Sequence, residues 1–269
     1  LIETLGSTHQ SVRRLRRLVQ KRSERWSEGV CVIEGPDLVS AALESDAELE
    51  AIYVDEDVVD NAEITALCVK AANAGVRIFS LASGVLEKVS DAQTPQPIMA
   101  TAKIKPTPLT ELSGIGFVLI LHDIRDPGNA GTLIRSADAS GSGAVIFTGQ
   151  SVDPYNPKTL RATAGSIFRL PIVLSSLEEA TRHLRANGVE VLATVVRDGA
   201  DSRTLNLALP TAVVLGNEAR GLSPEEVSIC SGSVTIPMAG GAESLNAAIA
   251  GSLLAFAALY QRLGTFEEG

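Results

Sequence analysis

Apolar residues along this chain fall in short runs separated by stretches in which they recur every three or four positions, the pattern of strands alternating with amphipathic helices. GVCVIEG (29–35), LEAIYVDED (49–57) and VRIFSL (76–81) read as strands. PDLVSAALESD, with Pro36 at a helix start, AEITALCVKAANAG (62–75) and ASGVLEKVS (82–90) supply the helices between and after them, so the first hundred residues predict a small α/β sandwich. Pro95, Pro97, Pro106 and Pro108 exclude a long helix between Gln93 and Ser113 and leave IMATAKI as an edge strand. The domain boundary is expected there, giving an N-terminal α/β domain over 1–105, a linker over 106–113 and a second domain over 114–269. In that second domain the strands are FVLILHD (117–123), AVIFTG (144–149), PIVL (171–174), VEVLATVV (189–196), AVVLG (212–216) and SVTIP (233–237). Helices are expected from about Asn129 to Ser140, through TLRATAGSIF, through LEEATRHLRANG, from Ser223, and from about Ser244 to Leu263. Such alternation implies a mostly parallel sheet covered on both faces.

Composition adds little to this picture until charge is considered. With 45% apolar and 20% charged residues the chain is globular, its apolar segments read as too short to span a bilayer, and Leu1–Thr4 begins no secretory signal, so a cytoplasmic protein is expected. Cys31, Cys68 and Cys230 are far apart, and His9, His122 and His183 lack ligand spacing, so neither disulfides nor a metal are expected. The net charge of −9 argues against a polyanionic partner. Its distribution does not: Arg13, Arg14, Arg16, Arg17, Lys21, Arg22 and Arg25 face only Glu24 within one segment. Phosphate binding and a solvated helix face both fit that segment.

In an open α/β sheet, ligands bind beyond the carboxyl ends of the strands, which singles out three loops. IRDPGNAGTLIRSADASG sets Asn129 and Arg135 six residues apart, with Gly128 and Gly131 permitting close backbone approach; an Asn cap followed by a solvent-facing Arg is the plain alternative. GNEARGLSPE holds Gly216, Asn217, Glu218 and Gly221 ahead of a helix capped by Ser223 with Pro224 at its first position; the alternative is a surface turn. MAGGAESLNAAIAGSLLAFAALYQR turns at two glycines into a helix with Ser244 and Asn246 at its start, too apolar to be exposed on most sides. No dinucleotide G-x-G-x-x-G, no Walker A lysine and no Ser-His-Asp arrangement is present.

Taken together, DPGNAGTLIRSA, VVLGNEARGLS and IPMAGGAESLNAAIA resemble, in order, the three motifs of the SpoU/TrmH family of RNA ribose methyltransferases of the SPOUT superfamily. VIEGPDLVSAAL resembles the start of the substrate-binding domain that often precedes this catalytic domain, a sandwich akin to a small RNA-binding ribosomal protein. The resemblance implies a mostly parallel α/β domain with a deep trefoil knot, S-adenosylmethionine bound in the knot, a homodimer, and methyl transfer to a ribose 2′-oxygen, in large-subunit ribosomal RNA before transfer RNA. By position, Leu215, Gly216, Asn217, Ile236, Met238, Leu245 and Asn246 would bind the cofactor, and Arg135 would be catalytic. Asn129, Glu218, Ser244 and Asn246 would orient the arginine, ribose and cofactor, while Arg13, Arg16 and Arg17 would grip RNA phosphates. A non-catalytic RNA-binding or ribosome-assembly protein on the same fold is the competing class, and a nucleotide-dependent metabolic enzyme lacks its phosphate motif. SLNAAIA departs from the family's more usual SLNVSVA by small apolar changes that affect packing.

Overall fold

The structure, a computed structural model, describes residues 3–58 and 61–264. Its chain divides into two compact units, Leu1–Lys105 with Tyr155–Arg169, and Pro106–Pro154 with Leu170–Gly269.

The first unit contains β1 (Glu3–Leu5), α1 (Gln10–Gln20), α2 (Arg22–Glu28), β2 (Val30–Glu34), α3 (Pro36–Leu43), β3 (Leu49–Asp55), α4 (Ala62–Asn73), β4 (Arg77–Leu81), α5 (Val85–Val89) and β5 (Ile98–Lys103). Its sheet runs β1-β4-β3-β5-β2. β5 is therefore interior and antiparallel to both β2 and β3, not the edge strand expected. The prolines that suggested an edge flank the strand without interrupting it, so every N–H from Ile98 to Lys103 remains available to a ladder. Val12, Leu15, Leu18 and Val19 follow the helical period along α1 and share one core with Val30, Val32, Ala51, Tyr53 and Met99 from alternate strand positions. α7 (Pro157–Thr163), which the alternation placed in the second domain, packs against β2. Arg161 holds it there, donating to Glu34 at 2.9 Å and Asp91 at 2.8 Å.

The second unit carries β6 (Phe117–His122), α6 (Pro127–Ala139), β7 (Ala144–Thr148), β8 (Ile172–Leu174), α8 (Leu177–Ala186), β9 (Glu190–Thr194), β10 (Ala200–Asp201), β11 (Thr211–Leu215), α9 (Pro224–Ile229), β12 (Gly232–Thr235) and α10 (Ala247–Gly264). The strand order is β10-β12-β9-β11-β6-β7-β8, parallel at every pairing. β6 and β11 are buried along their whole length, as central strands covered on both faces must be. α6 begins at Pro127 rather than Asn129, because Asp126 caps it by accepting from the Asn129 N–H at 2.8 Å. The expected helix through TLRATAGSIF ends at Thr163, since Ala164 and Gly165 turn left-handed, and a single 3-10 turn follows over Ser166–Phe168.

α10 corrects two expectations. Helical residues begin at Ala247 and not near Ser244, because Asn246 caps the helix, its Oδ1 accepting from Ala248 at 2.8 Å and Ile249 at 3.2 Å. At 18 residues it is also long and apolar enough, by length and composition, to cross a bilayer. Its small residues serve packing instead: a Cβ on Gly251 would stand 2.4 Å from Leu133 and 2.5 Å from Leu215, so α10 lies directly on α6 and β11.

Candidate active site at the carboxyl ends of the second sheet

β9, β11 and β12 end at a cleft of about 360 Å³. Leu215, Gly216, Asn217, Ile236, Met238 and Leu245, expected to hold a cofactor, all line it, together with Glu218 and Ser244. Thr194, Val195 and Val196, just beyond β9, line it too; the loop-after-strand rule reaches them, but no motif marks them. Gly216 is required by crowding: a Cβ there would lie 2.5 Å from the Gly221 carbonyl carbon and 2.7 Å from the Leu222 nitrogen, where the turn closes on itself. Asn217 braces the turn, its Oδ1 accepting from Ala219 at 3.1 Å and Arg220 at 3.3 Å.

At one side of the cleft the three sequence motifs meet through side chains. Asn246 donates to Asn129 Oδ1 at 3.0 Å, and Asn129 donates to Glu218 Oε1 at 3.1 Å. Glu218 also accepts from the backbone N–H groups of Arg125 and Asp126, at 3.2 and 3.1 Å. Burial opposes ionisation of Glu218, but the Asn129 amide and these N–H groups outweigh it and hold the carboxyl below the ordinary glutamate range. A carboxylate so held is a poor proton acceptor and a good anchor for the Asn129 amide. With Asn246 Oδ1 committed to the cap, the direction of the chain from Asn246 through Asn129 to Glu218 is set, and each carboxamide nitrogen keeps a second hydrogen for a ligand.

Arg135 stands apart from this chain of bonds. It is exposed on α6, six residues or about 9 Å along the axis from Asn129, outside the residues that line the cleft. Asn246 likewise lies beside the lining rather than in it. His122, beyond the motifs, is satisfied on both nitrogens by Thr148 at 2.8 Å and Glu226 at 2.9 Å. Among the described residues no cluster of His, Cys, Asp and Glu has the makings of a metal site.

In the first unit the basic segment is only partly available. Arg25 is 2% exposed and donates to the carbonyls of Leu18 and Val19, and Arg14 pairs with Glu28 and Glu50. Arg13 and Arg17 are exposed, Arg17 beside Glu24 at 3.3 Å, and Arg16 is half-buried.

The SpoU rRNA Methylase family model matches residues 116–256, and the MRM3-like substrate binding domain matches 9–100. The chain is 31% identical over 251 residues to the 23S rRNA (guanosine(2553)-2'-O)-methyltransferase RlmP of Bacillus subtilis, covering 93% of this chain and 96% of that one. This protein belongs to the SpoU rRNA methylase family. Among solved structures, this SpoU family member is similar to the AdoMet-bound rRNA methyltransferase from Sinorhizobium meliloti, at 30% identity and a TM-score of 0.85 over 96% of this chain and 97% of that one. It is also similar to the SpoU methyltransferase AviRb from Streptomyces viridochromogenes in complex with AdoMet, at 26% identity and a TM-score of 0.84 over 95% and 100% of the two chains.

Proposed function

We propose that the protein transfers a methyl group from S-adenosylmethionine to a ribose 2′-oxygen of large-subunit ribosomal RNA in the cytoplasm. The observation that carries this reading is the joining of Asn129, Glu218 and Asn246 into one hydrogen-bonded chain beside the cleft. The similarity over nearly the whole chain to a relative named for 23S rRNA ribose methylation supports the substrate class. The cleft fits the methyl donor: its volume lies within the range of small-molecule sites, Leu215, Ile236, Met238 and Leu245 offer apolar surface for a base, and the 216–221 turn presents backbone groups. Bound there, the donor supplies an electrophilic methyl on a sulfonium.

The rest falls to the chain's own residues. Asn129 and Asn246, fixed by Glu218 and by the α10 cap, orient the substrate with their remaining N–H groups. Arg135 meets the ribose and its phosphate, stabilising negative charge on the attacking oxygen while the proton passes to phosphate or water, because a guanidinium keeps its proton near neutrality and so is no base there. Arg13, Arg16 and Arg17 contact phosphates. Three features support the family's knot and homodimer. The chain leaves β11, crosses beyond β9 to form β12, and returns as α10 onto β6 and β11. The Gly216 turn is packed against its own far end. The face of α10 carrying Ile249, Leu253, Tyr260 and Leu263 is 49–65% exposed, an apolar stripe suited to a second copy. Labelled donor incubated with 23S, 16S and transfer RNA pools tests the reading: label should enter 23S RNA and vanish with Arg135→Ala. Donor binding without transfer to any pool would favour a non-catalytic RNA-binding protein.

A further inference from the structure

Asp123 lies just past β6, between the first motif and the strand, and has no role in the chemistry above. It is 6% exposed, and its backbone is left-handed at φ 57°, a conformation that Asp and Asn tolerate better than most residues. Every polar group it has is engaged. The carboxylate accepts from the Gln150 N–H at 2.5 Å and forms an ion pair with Arg220; the carbonyl accepts from Asn217 Nδ2 at 2.9 Å; and the N–H donates to Thr148 at 3.3 Å. The surrounding space is filled to contact, since a Cβ on Gly149 would stand 2.4 Å from the Asp123 carboxylate. Both partners in the second motif, Asn217 and Arg220, line the cleft, although Arg220 is itself 64% exposed. The turn they belong to is closed by the Asn217 side chain and by the Gly221 N–H donating to the Asn217 carbonyl at 2.8 Å, so it moves as one piece. The same turn carries Gly216 and Glu218.

We propose that Asp123 is a positioning residue of the cleft: by clasping Asn217 and Arg220 it fixes the 216–221 turn to the end of β6 and so sets the wall against which the methyl donor packs. This role rests on the methyl-donor reading of the cleft. Burial alone would raise the Asp123 carboxyl; the Gln150 N–H, His122, Arg220 and Arg125 outweigh it and keep it ionised, as a clasp on a guanidinium requires.

Asp123→Asn isolates the Arg220 arm of the clasp, because Asn suits the left-handed backbone, can still accept from Gln150 and keeps the carbonyl that holds Asn217, but offers Arg220 no charge. Isothermal titration with S-adenosylmethionine should show about ten-fold weaker binding in Asp123→Asn and in Arg220→Ala, with an intermediate loss in Arg220→Lys. The double variant should bind no more weakly than the weaker single one, because both changes break one interaction. Amide exchange at residues 219–221 of the donor-free protein should quicken in both single variants while the unfolding midpoint stays close to wild type. Wild-type donor affinity in both single variants, or weakened binding accompanied by a large fall in the midpoint, would overturn the clasp. A wild-type protein that binds no donor would remove the donor reading, and unchanged exchange at 219–221 would separately remove the clasp.

Discussion

Replacing Glu218 by Gln changes one oxygen for an NH2 in a side chain that accepts three hydrogen bonds, two of them on Oε1 and one on Oε2. With the amide oxygen left facing Asp126 and Asn129, the new NH2 meets the Arg125 N–H head-on, and that bond is lost; in the flipped orientation two bonds are lost. A charge-assisted bond contributes about 1.5–3 kcal/mol and a neutral one about 1, so one lost bond and two weakened ones total roughly 5 kcal/mol in a dry site. Glu218 is an exposed residue, which brings the expected effect down to about 2 kcal/mol. The disturbance falls on the Asn129 amide, which the proposed function assigns to orienting the substrate, so kcat/KM should drop about 30-fold, at 1.36 kcal/mol per decade. Steady-state methyl transfer to 23S RNA, paired with titration of the donor, reads it. Donor affinity should change less than kcat, since Glu218 borders the cleft while Asn129 is not among its lining residues. A kcat/KM within about two-fold of wild type would refute the reasoning that Glu218 acts by holding Asn129.

Other consequences are smaller in scope. Arg13/Arg16/Arg17→Ala should weaken RNA binding and flatten its salt dependence in filter-binding assays, with unchanged slope removing those residues from the interface. Arg25→Ala should act differently, lowering stability by about 2–3 kcal/mol in urea unfolding through loss of its bonds to Leu18 and Val19, and an unaltered unfolding midpoint would contradict the structural role given to it. Burial pushes the Cys230 thiol up to about 11, so iodoacetamide should label it slowly at pH 8 and quickly only as the pH approaches that value; fast labelling at pH 8 would show the thiol less buried than described.

How far the sequence carries depends on whether a feature is periodic or depends on contact between distant residues. FVLILH and TAVVL read as central strands because all their positions are apolar, and all are buried. The sequence points to Asn129 as the cap of α6, but Asp126, three residues earlier, is an equally good capping residue, and only the observed bond to the Asn129 N–H chooses it. α10 begins three residues beyond Ser244 for a related reason: Asn246 is spent on capping, which leaves Ser244 in the loop. Charge counts Arg25 with the basic segment, although it turns inward to bond the carbonyls of Leu18 and Val19, and no periodicity signals that. The motifs named Asn129, Glu218 and Asn246, but their mutual bonds span 89 and 117 residues of chain and become visible only when the sheet brings the loops together. Nothing in the sequence marks Asp123, which reads as the polar end of a strand and whose partners at 150, 217 and 220 are remote along the chain.

The most direct test is to map the product: 23S RNA methylated by the wild-type protein is hydrolysed in alkali and the resistant dinucleotides are identified by mass spectrometry. A 2′-O-methyl on one ribose blocks cleavage at its own phosphodiester, so the central claim predicts one resistant dinucleotide that carries the label and is absent with Arg135→Ala. Label recovered wholly in alkali-sensitive mononucleotides would place the methyl on a base and contradict ribose methylation.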